Sequence, residues 1–193
     1  MVHSIVPLAV LEAVKNLDTP VEDGLTEFAD ELLVKRLGLS STVQMQLAEF
    51  EQLVRKDARV EPSHVEALLR LVGRRPDADL VFADAGRRAA RRAVKRMFVL
   101  SRFFGHAAAR RASRAVLGAD LGWEQRVPVA RVTDPIAIQA TPDGAACGFY
   151  TAGLVELLRL LAGYEGAMLH VACRARGGAA CEWRAAGPDP RHQ

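Results

Sequence analysis

The chain has 193 residues, of which 50% are hydrophobic and 25% are charged, with a formal net charge of +3 at pH 7. This composition predicts a globular protein with one sizeable core. Pro7 and Glu12 interrupt the first apolar stretch, and no apolar run approaches the roughly 20 residues that span a bilayer, so we expect a cytoplasmic protein without a signal peptide or transmembrane segment.

The first seventy residues read as a series of helices. Three capping-box patterns, at residues 19–22, 41–44 and 63–66, predict helix starts at Thr19, Ser41 and Ser63. The helices near 41–56 and 63–73 resemble a helix-turn-helix only weakly, because the connection between them is long and the segment is acid-rich. We therefore do not expect nucleic-acid binding there.

Residues 73–80, GRRPDADL, form the best candidate boundary because glycine and proline end helices. We predict a helical N-terminal region at 1–75 and a second domain at 76–193, which opens with a helix through Phe82, Ala89 and Met97. Ten basic residues and no acidic residue lie between Arg87 and Arg114. This basic stripe either meets an anionic partner or is a solvated face that docks on an acidic neighbour.

The pattern changes after Gly118. Residues 123–132 and 134–140 have the β-branched content of short strands, and a helix is predicted to begin close to Cys147. Residues 166–185 then predict two strands joined by a glycine-containing turn. The sequence therefore predicts an α+β fold.

Two of the three cysteines, Cys173 and Cys181, flank that turn, where cross-strand neighbours suit two thiolates on one metal ion. A local irregularity in the strand would direct His170 to the same centre, and Cys147 lies near a helix N-terminus, which favours the thiolate. Such a Cys3His set is typical of structural zinc. The alternative is a reduced, buried group of cysteines beside a neutral core histidine.

The stretch from Cys147 to Trp183 resembles the C-terminal signature of the 4-vinyl-reductase domain family, which includes bacteriochlorophyll-biosynthesis proteins and the sensory domain of phenol-responsive activators. The resemblance rests on Cys147, the tract GLVELLRLLAGY, Cys173, the pair Gly177-Gly178 and Cys181. It extends loosely back to Phe82 and does not cover residues 1–72. It implies helices packed on an antiparallel sheet in a nitric-oxide-signalling/Golgi-transport-like fold, a homodimer, and zinc held by three cysteines and a glutamate, whose place His170 takes here.

The resemblance also implies a hydrophobic or aromatic small molecule bound between the helices and the sheet. Residues that would line this pocket by position, each with ordinary core packing as the alternative, are Phe103, His106, Trp123, Thr151, Leu154 and Met168. The chain has no GxGxxG, GxSxG or P-loop pattern, so we expect a binding protein, a sensor or carrier, rather than an enzyme. The alternative function is a tetrapyrrole carrier or accessory enzyme of bacteriochlorophyll biosynthesis.

Overall fold

The computed structural model describes residues 1–19, 40–97 and 104–186. Within these ranges the chain has the expected α+β fold, with seven α-helices, a four-stranded antiparallel sheet and a two-stranded sheet. None of the described helices is long and apolar enough to cross a membrane.

The N-terminal part is mainly helical. The two-residue strands β1 (Val2–His3) and β2 (Arg59–Val60) pair in antiparallel fashion, an addition to the predicted helical region. The helices are α1 (Ile5–Asp18), α2 (Ser41–Arg55) and α3 (Pro62–Val72). Each buries an apolar face, and α1 is almost entirely enclosed.

Of the three predicted helix starts, those at Ser41 and Ser63 are each shifted toward the N-terminus, and the one at Thr19 is not tested. The side chain of Ser40, not Ser41, accepts a hydrogen bond from the Val43 amide at the start of α2. Helix α3 begins at Pro62, because proline fits the first helical position, so Ser63 lies inside the helix. Thr19 lies at the end of α1, where its hydroxyl donates to the Lys15 carbonyl, while residues 20–22 of that predicted box lie outside the described residues.

Helix α4 (Ala78–Lys95) lies between α1 and α7 (Cys147–Leu157), and its small residues allow both neighbours to approach closely. It confirms the predicted helix, with Phe82, Ala85, Ala89 and Ala93 buried, but it ends at Lys95, two residues before the predicted Met97. Helix α5 (Gly105–Ala112) continues as a π-helical turn, Ser113–Leu117, and ends at Gly118 with φ +63°. Helix α7 likewise continues as the π-helical turn Leu158–Ala162.

The four-stranded sheet has the order β3-β4-β6-β5. Its strands are β3 (Asp120–Glu124), β4 (Val127–Val132), β5 (Met168–Ala172) and β6 (Cys181–Ala185). The prediction of a strand at 134–140 is wrong, because Ile136–Ala140 forms the short helix α6 after Pro135. Five residues are too few for their hydrophobic pattern to separate a strand from a helical turn.

Most of the basic stripe is paired with acidic residues of the same chain. Arg91 contacts Glu156 of α7, Arg92 contacts Glu12 of α1, and Arg96 contacts Asp57. Within α4, Arg87 and Arg88 lie beside Asp84. These contacts favour the interpretation that α4 docks on acidic neighbours.

The predicted domain boundary falls in the connection between α3 and α4. There Arg75 donates to Asp18 at the end of α1 and to Asp77. Buried side chains form a continuous core from α1 to the sheet. The division at 75/76 stays a prediction.

Candidate metal centre

Cys147 is the first residue of α7, and a tight turn at Gly144 directly precedes it. The Cys147 amide donates to the carbonyl of Gly144 at 2.9 Å, and Gly144 has φ +84°, which favours glycine. A Cβ added at Gly144 would lie 3.4 Å from Cys173 Sγ and 3.9 Å from Cys147 Sγ. The backbone of this turn therefore lines the cysteine cluster closely.

The hairpin of β5 and β6 supplies the other two cysteines. Cys173 follows β5 and Cys181 opens β6, and their sulfur atoms are 3.9 Å apart. This separation is far above the roughly 2.05 Å of a disulfide bond. It matches the edge of a zinc tetrahedron, because bonds of about 2.3 Å place two sulfur atoms about 3.8 Å apart.

A β-bulge in β5 directs His170 to the same centre. His170 pairs with Trp183 and Ala172 pairs with Glu182, so Val171 is an extra residue in the strand. Residues three apart in a regular strand face opposite ways, and one extra residue restores a common face for His170 and Cys173. The expected strand irregularity is confirmed.

The four side chains meet at one place. Their candidate ligand atoms, three sulfur atoms and an imidazole nitrogen, all lie within 4.8 Å of one another. The cysteines are buried and His170 is exposed. Cys147, His170, Cys173 and Cys181 therefore lie close enough to hold one metal ion.

The environment favours the neutral forms of Cys147, Cys181 and His170 when no cation is bound. Burial, together with the neighbouring Cys181 and Cys173, raises the pKa of the Cys147 thiol, and burial raises the pKa of Cys181. Burial, with a smaller contribution from Arg176, lowers the pKa of His170. A metal ion would displace thiol protons on binding but would meet an imidazole that is already deprotonated.

Neighbouring groups orient the cluster. The Trp183 ring stacks on His170 with centroids 4.6 Å apart, and its Nε1 donates to Thr151 Oγ1 at 2.8 Å. The Thr151 hydroxyl in turn donates to the Cys147 carbonyl at 3.3 Å. Helix α7 and strand β6 are therefore joined beside the cluster by a short polar chain.

The predicted pocket residues do not share one role. His106 is exposed and stacks on Trp123, with ring centroids 4.2 Å apart. Leu154 and Met168 are buried in the core. The Thr151 hydroxyl accepts a hydrogen bond from the Trp183 indole. Phe103 lies outside the described residues. Ligand binding by these six residues stays a prediction.

Two further features of the structure were not predicted from the sequence. One is Gly144, for which the Asp143-Gly144 pair is a turn signal. The other is a groove of about 380 Å³ whose lining includes Val2, Val132 and Tyr150, and none of the predicted pocket residues. No sequence pattern connects residue 2 with the end of β4.

Comparisons of the chain with protein-family models, with curated proteins and with solved structures find no match.

Proposed function

We propose that the protein is a zinc-stabilised binding domain for a hydrophobic or aromatic small molecule, acting as a sensor or carrier. The observation that carries the proposal is the convergence of three cysteines and a histidine from three separate segments within 4.8 Å. The zinc ion would be held by Cys147, His170, Cys173 and Cys181.

Zinc is the metal that this donor set favours. Thiolate and imidazole ligands in a tetrahedral arrangement are typical of zinc, whereas carboxylate-rich sites suit calcium or magnesium. Four protein ligands close the coordination sphere, and a catalytic zinc would need an open position for water. We therefore propose a structural metal and no zinc chemistry.

The zinc would be a cross-link between elements that are far apart in the sequence. It would bind the first residue of α7 to the two strands of the β5–β6 hairpin, where β5 is an edge strand. Edge strands have hydrogen-bonding partners on one side only, so they open more easily. A metal at this corner would hold the hairpin against α7.

The small-molecule role is supported by the resemblance of residues 147–183 to the 4-vinyl-reductase domain. The stack of His106 on Trp123, at the edge of the sheet, is an aromatic surface of the kind that binds flat apolar ligands. A homodimer is part of the same proposal, and the cytoplasm is the compartment in which the three cysteines would stay reduced.

Native mass spectrometry of the full-length protein tests the metal, the subunit count and any co-purified molecule together. We expect one zinc ion per chain in the wild type and none in Cys181→Ser. The matched control is Ala180→Ser, which should keep its zinc, because Ala180 is the buried neighbour of Cys181 and is not one of the four ligands. Zinc-free wild type, or equal zinc in both variants, would contradict the metal site.

A thermal-shift series with phenol and naphthalene derivatives tests the ligand. Selective stabilisation by neutral aromatics supports a sensor or carrier. Visible absorbance in the purified protein would instead favour the tetrapyrrole alternative.

A further inference from the structure

Three adjoining recesses surround the π-helical turn Ser113–Leu117. Their volumes are about 380, 290 and 490 Å³, and Ala115 lines all three. Small-molecule sites typically have volumes of about 300–1,000 Å³. The first and third recesses fall within this range, and they adjoin at Arg59, Arg114 and Ala115, which line both. We refer to the adjoining recesses together as the groove.

The first recess has an apolar inner part. Leu117, Val132 and Phe149 line it, and it reaches the buried Tyr150 of α7. Tyr150 packs on Trp183 with ring centroids 5.6 Å apart. The inner end of the groove is thus built by the same helix that carries Cys147.

The third recess is basic. Its lining contains four arginines and no acidic residue, and we call these the arginine mouth: Arg59, Arg110, Arg111 and Arg114. Arg114 pairs with Asp120, and Arg59 donates to the Met1 carbonyl at 3.4 Å. Arg110 and Arg111 are exposed and have no acidic partner in the described ranges.

The acidic residues of the groove are already neutralised by other partners. Asp134, in the first recess, contacts Arg174 at 2.9 Å. Asp57, in the second, contacts Arg96 at 2.8 Å. The groove therefore carries excess positive charge at its arginine mouth.

We infer that this groove binds an anionic amphiphile, whose apolar body lies against Leu117, Val132 and Phe149 and whose carboxylate or phosphate head meets the arginine mouth. Guanidinium groups bind both kinds of head through paired hydrogen bonds. Burial of the apolar body provides the main driving force. This inference rests on the proposed small-molecule role and assigns that role to the groove rather than to the stack of His106 on Trp123, which lines none of the three recesses. It does not depend on the zinc.

Isothermal titration of the full-length protein with decanoate and decyl phosphate below their micelle concentrations, and with decanol below its solubility limit, tests the inference. We expect decanoate or decyl phosphate to bind about tenfold more tightly than decanol, because the charged head adds charge-assisted hydrogen bonds. The tighter of the two anions identifies the head group. Equal binding of decanol and both anions would overturn the anionic class.

Two variants locate the site. Arg110→Gln/Arg111→Gln should weaken binding of the tighter anion about tenfold and leave the affinity for decanol unchanged. Ala115→Phe should abolish binding of both ligands by filling the groove. The matched control is Arg70→Gln/Arg74→Gln, an exposed pair on and after α3 that lines none of the three recesses. Full affinity in Ala115→Phe would overturn the groove as the site.

Zinc content and neutral-aromatic binding, measured on the same preparation, separate this inference from the proposed function. A zinc-loaded protein that binds phenol but neither decanoate nor decyl phosphate overturns the groove inference alone. A protein that binds decanoate through the arginine mouth without zinc supports the inference and contradicts the proposed metal.

Discussion

His170 differs from the other members of the cluster because it is exposed while the three cysteines are buried. Its ring is held by stacking on Trp183 rather than by enclosure in the core. Its removal should therefore change metal affinity more than the stability of the metal-free protein.

We expect His170→Ala to weaken zinc binding by more than about tenfold, since one of four ligands is lost, and to leave the melting temperature in the presence of a chelator close to that of the wild type. Competition with a zinc indicator measures the affinity. His64→Ala is the control, because His64 is also exposed and lies on α3. Wild-type zinc affinity in His170→Ala would remove His170 from the site.

Glu156 is a second residue with a defined role. Its side chain is only 6% exposed, and it accepts hydrogen bonds from Arg159 and Arg91. These bonds, mainly the one from Arg159, lower the pKa of Glu156 from 4.5 to about 2. A carboxylate with a lowered folded-state pKa stabilises the fold above pH 4.5, and this contribution is lost as the pH falls from 4.5 toward 2.

Glu156→Gln should lower the free energy of unfolding by about 1–3 kcal/mol at neutral pH, because the charge-assisted bonds are lost. The difference from the wild type should shrink at about pH 3. Urea denaturation of Glu156→Gln and of the wild type at both pH values measures this difference. Any effect of acid on the metal site cancels, because both proteins carry that site. Glu49→Gln is the control, because Glu49 is exposed on α2. A difference between Glu156→Gln and the wild type that grows on acidification would contradict the assignment.

The four candidate metal ligands could be predicted from the sequence because cysteine is rare in this chain and its spacing predicted a hairpin. Gly144 could not be, since its role depends on the approach of Cys173, which comes from a distant segment. The groove was missed for the same reason, because residues far apart in the chain build its walls.

At the scale of elements, α4 and α7 cross closely at Gly86. A Cβ at Gly86 of α4 would lie 2.2 Å from the Phe149 carbonyl oxygen and 2.9 Å from the Gly153 nitrogen. Both are backbone atoms, so the helices themselves would have to separate.

Gly86→Ala should therefore lower the free energy of unfolding by about 1–3 kcal/mol through overpacking. Gly148→Ala, in α7, is the matched control, because its added Cβ would lie 3.9 Å from Phe82 Cβ, an ordinary contact. It should leave stability unchanged or raise it by up to about 1 kcal/mol, since alanine favours the helix. Chemical denaturation compares them, and equal stability would contradict the close crossing.

The sequence predicted the long helices well, because a stripe such as that of α4 repeats over five turns. It failed at short elements and at ends. The five residues Ile136–Ala140 fit either a strand or a helical turn. At the start of α2, the adjacent Ser40 and Ser41 could each serve as the N-cap residue. Local geometry that the sequence pattern does not fix decides such cases.

At the scale of the whole molecule, the cluster stands at one corner of the sheet and α1 and α4 at the centre of the helical core. We expect chelation of the metal to speed amide hydrogen exchange in β5, β6 and the first turn of α7, and to leave α1 protected, because α1 packs mainly on α2, α3 and α4, whereas the four candidate ligands lie on or directly after β5, on β6 and at the start of α7. Exchange measured by mass spectrometry with and without chelator tests this. Uniform loss of protection across the chain would contradict a local role for the metal.

The most direct measurement is zinc X-ray absorption spectroscopy of the purified, full-length protein. The proposed site predicts three sulfur neighbours at about 2.3 Å and one nitrogen neighbour at about 2.0 Å. A first shell made only of nitrogen and oxygen atoms, or the same spectrum from Cys147→Ser, would contradict a zinc ion held by Cys147, His170, Cys173 and Cys181.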